Sequence, residues 1–510
     1  MDNAVNNKRI ARNTLLLYFR MLLIMAVSLY TSRVVLATLG IEDFGIYNVI
    51  GGVVAMFAII SSTLSAAVSR FITVELGRND FEQLKKVFSA SVTIHIFLAI
   101  IIFFIAEIGG IWFIHNKLVI PHERLNAAFW VFQCSVLTFI VNLLSVPYNA
   151  TIVAHERMDA FAYVSIIEVI LKLLLVYILA LFSFDKLIMY SFLLMLLAII
   201  IRLIYGYYCK RHFEECVYYY FWDKSLFKEI MAFASWNFIG ASSGILRTQG
   251  INVLLNLFGG PVVNAARGIS AQVHAAIQSF VTNFMTALNP QITKSYVSGD
   301  HVYMMKLIER GARFSFYLFF LLSLPIVIET NRILSIWLVE VPDHTVNFVR
   351  LVLIFAMIET LSGTLITTML ATGKIKNYQI IVGGLQLMNF PVSYFLLKIG
   401  LFPEITVVVA IFFSVCCLMA RLLMLRNMIG LDVVSFTRQV LLNVFFVGLV
   451  SSIFPIVVYL NLSDGWMRFM YVVTLSLLSS SLVIFFIGCN KGERVFVLEK
   501  IMFILNKFRR

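Results

Sequence analysis

Apolar runs of about 20 residues recur from one end of this 510-residue chain to the other. Each run is long enough to cross ~30 Å of hydrocarbon as one α-helix. Hydrophobic residues make up 61% of the chain and charged residues 13%, against roughly 45–50% and 25% in a typical soluble domain. The sequence therefore predicts an all-α integral membrane protein. The first run exceeds the apolar core of a signal peptide, so we expect it to be retained as the first span.

Apolar windows broken by charge, Gly and Pro predict about fourteen transmembrane helices. If the N-terminus is cytoplasmic, the inner segments carry about 27 Lys and Arg and the outer segments about five, which also places the C-terminus inside. The net charge of +13 then mostly faces anionic lipids, and no nucleic-acid partner is predicted. The predicted spans lie near 14–38, 44–68, 87–108, 127–149, 160–182, 186–208, 229–257, 261–288, 312–338, 346–371, 376–399, 404–426, 438–460 and 466–489.

A weak internal repeat relates the first half of the chain to the second at an offset of 220 residues, which becomes 217 further along, where AHERMDAF (154–161) aligns with ATGKIKNY (371–378). Gly40 matches Gly260, and AVSRFITVELGRND (67–80) aligns with ALNPQITKSYVSGD (287–300), which keeps Asp80 and Asp300 in register. Each repeat holds six spans, an even number, so the two halves enter the membrane in the same orientation and are related by a pseudo-two-fold axis along its normal. Two such halves with a site between them are typical of an alternating-access transporter.

This repeat predicts the domain organisation. A six-helix bundle at 1–208 is followed by a cytoplasmic interfacial linker at 209–228 and a second six-helix bundle at 229–426. The linker contains YYYFW, a run suited to the headgroup region. An extra helix pair at 427–490 precedes a basic amphipathic cytoplasmic tail at 491–510, which is too short and too charged for a further span.

Several basic residues fall inside the predicted spans. One Arg or Lys at mid-bilayer costs ~2.5–3.5 kcal/mol even on the cheaper insertion scale, so lipid-facing placement is unfavourable. Arg202, Arg332 and Arg350 lie near span ends and can extend to the interface. Arg332 also has Glu329 three residues earlier as a partner. A structural role is favoured for these three arginines.

Three charged residues are candidates for coupling transport to an ion such as H⁺ or Na⁺. Lys172 follows Glu168 by four residues near mid-span, the favourable order for an ion pair. The pair is either structural or part of a proton-sensitive relay. Glu359 lies near the middle of its own span, where the alternative to coupling is a protonated, hydrogen-bonded carboxyl.

The remaining arginines lie in spans one, seven and eight, which open the two predicted halves and would flank a central cleft. On span eight, four polar residues separated by three, seven and four positions form one stripe on an otherwise apolar helix. A helix–helix seam explains the amides of such a stripe but explains an Arg poorly. The pattern predicts a cationic, substrate-binding cavity. Its candidate residues are Arg20, Arg33, Arg247, Arg267, Asn264, His274 and Gln278.

Three segments resemble a known family. RIARNTLLLYFRMLLIMAVSLYTSRVVLATLGIEDFGIYNVIGGVVAMF (9–57), SRFITVELGRND (69–80) and GGPVVNAARGISAQVHAAIQSFVTNFMTALNPQITKSYVSGD (259–300) are similar to the polysaccharide-transport family. These are O-antigen type flippases for lipid-linked oligosaccharides, within the multidrug/oligosaccharidyl-lipid/polysaccharide exporter (MOP) superfamily. The resemblance covers nearly the whole chain and fades over the last two spans.

The resemblance implies two six-helix bundles plus an extra helix pair in the cytoplasmic (inner) membrane of a bacterium. It implies a flippase that moves undecaprenyl-diphosphate-linked oligosaccharide repeat units, precursors of O-antigen or capsular polysaccharide, from the inner to the outer leaflet. Arginines would hold the anionic diphosphate-sugar head group, a role that falls here on Arg20, Arg33, Arg247 and Arg267. Polysaccharide polymerase and chain-length machinery are implied partners, besides membrane lipids.

Two other functions stay open at this point. A multidrug or metabolite cation antiporter of the same superfamily would need acidic and aromatic cavity walls, whereas the intramembrane charge here is basic. A membrane polymerase or acyltransferase would need acid–base groups on a sizeable extramembrane loop, and the longest outer loop offers His115, His122 and Glu123. No metal motif, phosphate-binding loop or nucleophile elbow is visible. The sequence therefore predicts no enzyme activity, cofactor or metal.

Overall fold

A computed structural model describes most of the chain. The described residues are 2–78, 80–155, 157–181, 184–220, 223–224, 227–228, 246–373, 376–495, 498–499 and 502. Within these ranges, the side chains of residues 2–20, 59, 62, 66, 70, 74, 77, 158–159, 161–162, 180, 246–247, 287 and 297 lie outside the description. The regular elements in these ranges are helices, as the apolar runs predict.

Seven helices form the described part of the first half. Asp80 and Asp185 cap two of them, because their carboxylates accept hydrogen bonds from the first free backbone N–H groups. The predicted span 44–68 is interrupted by a turn at Met56–Phe57 and so becomes two helices. The helices are α1 (Asp2–Leu39), α2 (Ile41–Ala55), α3 (Ala58–Arg78), α4 (Phe81–Asn116, with a π-helical turn at Ala106–Gly110), α5 (His122–Ala154), α6 (Met158–Leu181) and α7 (Lys186–His212).

The second half begins, in the described residues, with a π-helical turn at Leu246–Gly250. Nine helices follow it. They are α8 (Ile251–Val297), α9 (His301–Ile328), α10 (Thr330–Trp337), α11 (Thr345–Thr360), α12 (Gly363–Ala371), α13 (Lys376–Lys398), α14 (Ile405–Ile429), α15 (Val433–Asn461) and α16 (Trp466–Gly488).

In the described part of the chain, nine helices are long and apolar enough to cross a membrane, and the bent pair α11–α12 raises this to ten. The predicted count of fourteen is not reached by this criterion. Two of the reasons are visible in the chain. The span 44–68 is divided between α2 and α3, and most of the span 229–257 lies outside the described residues.

Two pairs of residues matched by the internal repeat have the same local geometry. Gly40 precedes α2 with φ 81° and ψ 171°, and Gly260 interrupts α8 with φ 71° and ψ −170°. Glycine adopts this backbone conformation without a Cβ penalty. Asp80 and Asp300 cap α4 and α9 in the same way, each accepting from the backbone N–H three residues later at 3.0 Å. The repeat therefore reproduces a turn and a cap at equivalent positions of the two halves.

The start of α5 and the start of α11 show a further correspondence between the two halves. Arg124 donates to Asp43 Oδ1 at 2.7 Å and to Asp185 Oδ2 at 2.6 Å. In the second half His344, which the repeat offset matches to Arg124, contacts Glu404 at 2.8 Å. Burial acts to raise the pKa of Asp185, but hydrogen bonds from Arg124 and from backbone N–H groups lower it below its usual value. The ionised Asp185 therefore stabilises the fold at neutral pH, and this contribution is lost only as pH falls through the lowered pKa.

The chain divides into two compact units. The first comprises Met1–Gly268, Leu338–Asp343 and Phe390–Pro403, with a core of buried side chains from α2, α4, α5 and α7. The second comprises Ile269–Trp337, His344–Asn389 and Glu404–Arg510, with a core contributed mainly by α9, α12, α14 and α15. This division does not test the domain boundaries drawn from the sequence, which stay a prediction.

Within the second unit, the extra helix pair packs on α9 and is fixed by ion pairs. Arg313, 2% exposed, donates to Glu493 at 2.8 Å and to the carbonyl oxygen of Gly488 at 2.9 Å. Arg468, near the start of α16, donates to Glu329 at 2.8 Å. The sequence-based pairing of Glu329 with Arg332 is therefore wrong. The Arg332 guanidinium lies instead over the ring of Trp466, 4.8 Å from its centroid.

Candidate functional site

The four predicted substrate-binding arginines are described to different extents. The side chain of Arg33, on α1, is exposed, and that of Arg267, on α8, is half-buried. Arg20 lies in α1 and Arg247 in the π-helical turn before α8, and their side chains lie outside the described residues. Arg33 and Arg267 both belong to the first compact unit. These two guanidinium groups are therefore the part of the predicted site that the structure can place.

Arg33 and Arg267 lie at equal distances from the two equivalent glycine turns, Arg33 before one and Arg267 after the other. Arg33 precedes Gly40 by seven positions and Arg267 follows Gly260 by seven. Since a helix rises 1.5 Å per residue, each arginine lies about 10 Å along its helix from the turn. Both Cα atoms are thus about two helical turns from a glycine with the same backbone conformation. Within an apolar span, a charged side chain has to be matched by a partner or by water.

A very close helix crossing holds α8 against α2 beside Arg267. A Cβ atom at Gly45 would lie 2.0 Å from the carbonyl oxygen of Pro261. A Cβ atom at Gly268 would lie 2.9 Å from the side chain of Asn48. The two helices therefore approach through glycines, a packing mode common between membrane helices. Arg267 directly precedes Gly268, so its backbone position is fixed by this crossing.

Most of the amides near this crossing bond within the protein. Asn252 donates to Gln249 Oε1 at 2.8 Å. Asn264, 3% exposed, donates to the carbonyl oxygen of Asn252 at 2.9 Å and so braces α8 across the Gly260 kink. Asn256 accepts from the backbone N–H of Val119 at 2.9 Å. These contacts fit the structural alternative for the amides, and substrate binding by Asn264 stays a prediction.

The other two members of the polar stripe lie further along α8, in the second unit. His274 and Gln278 are both half-buried. The ring of His274 is tilted against Phe319, with a centroid separation of 6.3 Å. The carbonyl oxygen of Gln278 accepts from Thr282 Oγ1 at 3.0 Å. The four stripe residues thus lie on one helix, but the described contacts of His274 and Gln278 do not indicate what these two side chains bind.

Glu168 and Lys172 form the ion pair that their spacing predicts, with a distance of 2.7 Å. Lys172 also lines a cavity of about 240 Å³ inside the first unit, between α1, α2, α6 and α7. Sequence reasoning missed the hydroxyl groups of this cavity. On α1, Thr31 and Ser32 follow Ser28 by three and four residues and therefore share its helix face. They form a polar stripe of the same kind as the one recognised on α8.

Glu359, the other coupling candidate, lies directly before a break in its span. α11 and α12 meet at an angle of 40°, and Glu359 accepts a hydrogen bond from Ser414 on α14 at 2.5 Å. Three residues later, Ser362 accepts from Arg421 at 2.8 Å. Arg421 is 1% exposed and is absent from the residues predicted from the sequence. Its signal was the same as that of the other arginines, a charge within an apolar run.

Comparison with known proteins identifies a family to which this chain belongs. A family model described as "Polysaccharide biosynthesis protein" matches residues 10–296. This range is more than half of the chain and ends within α8, after the polar stripe. A comparison with curated proteins gives no match.

Solved structures show a similar fold at low sequence identity. Lipid II flippase MurJ in an inward closed conformation has a TM-score of 0.70 at 13% identity, covering 93% of this chain and 98% of that one. An inward-facing multidrug resistance MATE family transporter of the MOP superfamily has a TM-score of 0.67 at 12% identity, covering 79% and 95%. A MOP superfamily transporter from Pyrococcus furiosus has a TM-score of 0.59 at 14% identity, covering 83% and 96%. The fold of this chain is therefore MATE-like and MurJ-like.

Proposed function

Because the chain belongs to the polysaccharide biosynthesis protein family, we propose that it is a flippase for lipid-linked oligosaccharide repeat units. The proposed substrate is an undecaprenyl-diphosphate-linked oligosaccharide, a precursor of O-antigen or capsular polysaccharide. The observation that carries the proposal is that Arg33 and Arg267 each lie about 10 Å along a membrane helix from one of the two equivalent glycine turns. Neither arginine is buried in the packed core.

The chemistry of these arginines fits a diphosphate. A diphosphate cannot cross hydrocarbon without its charge being matched. A guanidinium group presents N–H donors in a planar fork that pairs with phosphate oxygens bidentately and stays protonated at every physiological pH. Arg33 and Arg267 would hold the head group in water while the polyprenyl chain stays in lipid. Arg20, Arg247, His274 and Gln278 are further proposed contacts to the diphosphate or the sugar.

The membrane arrangement completes the proposal. The charge asymmetry supports cytoplasmic termini in a bacterial inner membrane. Transport is proposed to run from the inner to the outer leaflet of that membrane. Alternating access of the two repeated halves would carry the head group across. The polymerase and chain-length machinery would receive the product. A MATE family transporter is a fold neighbour as well, but a multidrug cation antiporter would bind cations poorly beside Arg33 and Arg267.

Complementation tests the proposed function. The gene is expressed in a bacterial strain that lacks its own flippase and accumulates the lipid-linked repeat unit. Surface polysaccharide is measured together with the accumulated intermediate, which mass spectrometry identifies. We expect polysaccharide to return and the intermediate to disappear. Unchanged accumulation, with the protein present in the membrane and with several repeat-unit structures tried, would contradict the proposal.

A second prediction concerns ion coupling. Glu359→Gln keeps a hydrogen-bond acceptor for Ser414 but removes the titratable carboxyl at the α11–α12 break. If Glu359 couples transport to H⁺ or Na⁺, this variant should slow transport and flatten its dependence on pH and sodium, while substrate binding persists. Export rate is measured in cells over a series of external pH and sodium values. Glu168→Gln tests the second candidate in the same way.

Glu123→Gln is the matched control for both variants. Glu123 is an exposed carboxyl in the first turn of α5, so its substitution should leave rate and ion dependence unchanged. Wild-type pH and sodium profiles for both Glu359→Gln and Glu168→Gln would remove the two carboxyls from the coupling mechanism.

A further inference from the structure

Hydroxyl groups and one ammonium group form the polar part of the lining of the cavity in the first unit, and aliphatic side chains form the rest. On α1 it is lined by Ser28, Thr31 and Ser32, which share one helix face. On α6 it is lined by Lys172. Among the described residues that line it, Lys172 is the only one with a charged side chain. The polar part of the wall thus consists of groups that can donate hydrogen bonds.

The walls of this cavity are held in place by aromatic contacts. Tyr47 on α2 and Tyr190 on α7 line it and pack edge to face, with ring centroids 5.0 Å apart. The hydroxyl groups of Tyr30 on α1 and Tyr177 on α6, which are not among the described lining residues, hydrogen-bond at 2.8 Å. Helices α1 and α6 are therefore fixed to each other beside the cavity without using its lining.

Two donors in the wall have capacity left for a ligand. Thr31 Oγ1 is a buried hydroxyl oxygen without a hydrogen-bond partner among the described residues. An unsatisfied buried hydroxyl is costly, and native proteins usually satisfy one with water or a ligand. The ammonium of Lys172 has three N–H donors, and Glu168 accepts from one of them at 2.7 Å. Glu168 itself is not among the described lining residues.

The size of the cavity restricts the ligand. At about 240 Å³ it is smaller than the sites of ~300–1,000 Å³ that hold drug-sized molecules. It has room for several waters or for a small ion with part of its hydration shell, since a water occupies about 30 Å³ of liquid. The Lys172 ammonium, the charged group among the described lining residues, disfavours an inorganic cation, although Glu168 at 2.7 Å offsets part of its charge. A small anion would receive charge-assisted hydrogen bonds from Lys172 and further bonds from the hydroxyls.

From these observations we infer that the cavity between α1, α2, α6 and α7 binds a small monovalent anion, with chloride as the physiological probe. Lys172 supplies the charge, and the hydroxyls of Ser28, Thr31 and Ser32 replace part of the hydration shell. Glu168 holds the ammonium in position from outside the cavity. This site is separate from the proposed diphosphate-binding arginines, and its occupancy does not depend on which lipid the protein carries.

Binding to the purified full-length protein tests the inference without any lipid substrate. Line broadening of ³⁵Cl in NMR is measured in detergent solution, and bromide, phosphate and gluconate are added as competitors at constant ionic strength. We expect protein-dependent broadening that bromide displaces and gluconate does not. Lys172→Met should weaken apparent chloride affinity by at least about tenfold, the factor expected for a lost charge-assisted hydrogen bond. Thr31→Val, which preserves side-chain shape, should weaken it as well.

Tyr177→Phe is the matched control, because it breaks the Tyr30 hydrogen bond on the same two helices without altering the cavity lining. Its chloride affinity should equal that of the wild type. Thr31→Val keeps the test valid if Lys172→Met fails to fold. Absence of bromide-displaceable broadening in the wild type would overturn the inference. So would displacement by phosphate but not by bromide, or wild-type affinity in both Lys172→Met and Thr31→Val.

Discussion

Arg267→Ala is expected to abolish polysaccharide export in a flippase-deficient host while the protein still accumulates in the membrane. The truncation removes a guanidinium group from α8 but leaves the Gly268–Asn48 crossing that positions the helix. Losing two charge-assisted hydrogen bonds at ~1.5–3 kcal/mol each would weaken head-group binding by a factor of at least about 100. Surface polysaccharide and the accumulated lipid-linked intermediate are measured together with protein level.

A charge series at Arg267 separates electrostatics from packing. Arg267→Lys keeps the charge but loses the bidentate fork, so we expect partial export. Arg267→Glu reverses the charge against a diphosphate, so it should be at least as defective as Arg267→Ala. Arg438→Ala, an exposed arginine at the start of α15, is the control and should export normally. Equal export by Arg267→Glu and the wild type would remove Arg267 from the mechanism.

Gly45→Ala is expected to prevent correct folding, although alanine is the better helix former. Its Cβ atom would lie 2.0 Å from the carbonyl oxygen and 2.6 Å from the carbonyl carbon of Pro261. Both are backbone atoms, so no rotamer change relieves the clash and α8 has to move away from α2. Overpacking of this kind costs ~1–3 kcal/mol or more. Detergent-solubilised protein should show a lower apparent Tm, or aggregate in size-exclusion chromatography.

Gly51→Ala provides a matched control on the same helix. No atom lies within 4 Å of a Cβ added at Gly51. Alanine is favoured over glycine in helix interiors by roughly 0.5–1 kcal/mol, so this variant should be as stable as the wild type or slightly more stable. A Gly45→Ala protein with the Tm and elution profile of Gly51→Ala would show that the α2–α8 approach is looser than described.

The helical membrane fold could be predicted from the sequence because it depends on local and repeated signals. Runs of apolar residues set helix length, and a lipid environment leaves helices as the way to satisfy the backbone. The match of Gly40 with Gly260 needed only two glycines in register, and both adopt the same positive φ. The turn at Met56–Phe57 was not predicted, since neither residue carries a turn signal in an apolar run.

Side-chain partners were harder to predict, because they depend on contacts that are distant in the sequence. Glu168 and Lys172 pair as their spacing of four indicates, since both lie on one helix. Glu329 has a near candidate in Arg332, yet it pairs with Arg468, 139 residues away. Arg313 and Glu493 are joined over an even longer separation. Spacing rules apply within a helix and carry no information about such tertiary pairs.

The candidate site could be predicted only in part, because some of its signals are local in the sequence and others depend on tertiary contacts. The intramembrane arginines were recognisable because an isolated charge in an apolar run requires an explanation. The cavity was not, since it is assembled from four helices and, apart from Lys172, they contribute residues that are ordinary in a membrane span. Arg421 was also overlooked, although its full burial and its hydrogen bond to Ser362 make it structurally prominent.

The fold does not by itself distinguish the proposed function from that of a multidrug transporter. A lipid II flippase and a MATE family transporter are both structural neighbours at 12–13% identity. The family match over residues 10–296 and the basic character of Arg33 and Arg267 favour an anionic lipid. Discrimination therefore rests on what the two guanidinium groups bind.

Binding of the lipid head group to purified protein tests this claim most directly. Native mass spectrometry in detergent compares the wild type with Arg33→Ala, Arg267→Ala and the Arg438→Ala control, each incubated with a polyprenyl-diphosphate-linked oligosaccharide or with the uncharged polyprenol. The wild type and the control should retain the diphosphate lipid in preference to the polyprenol, and the other two variants should lose this preference. Equal retention of both lipids by the wild type, or undiminished preference in Arg33→Ala and Arg267→Ala, would contradict the account.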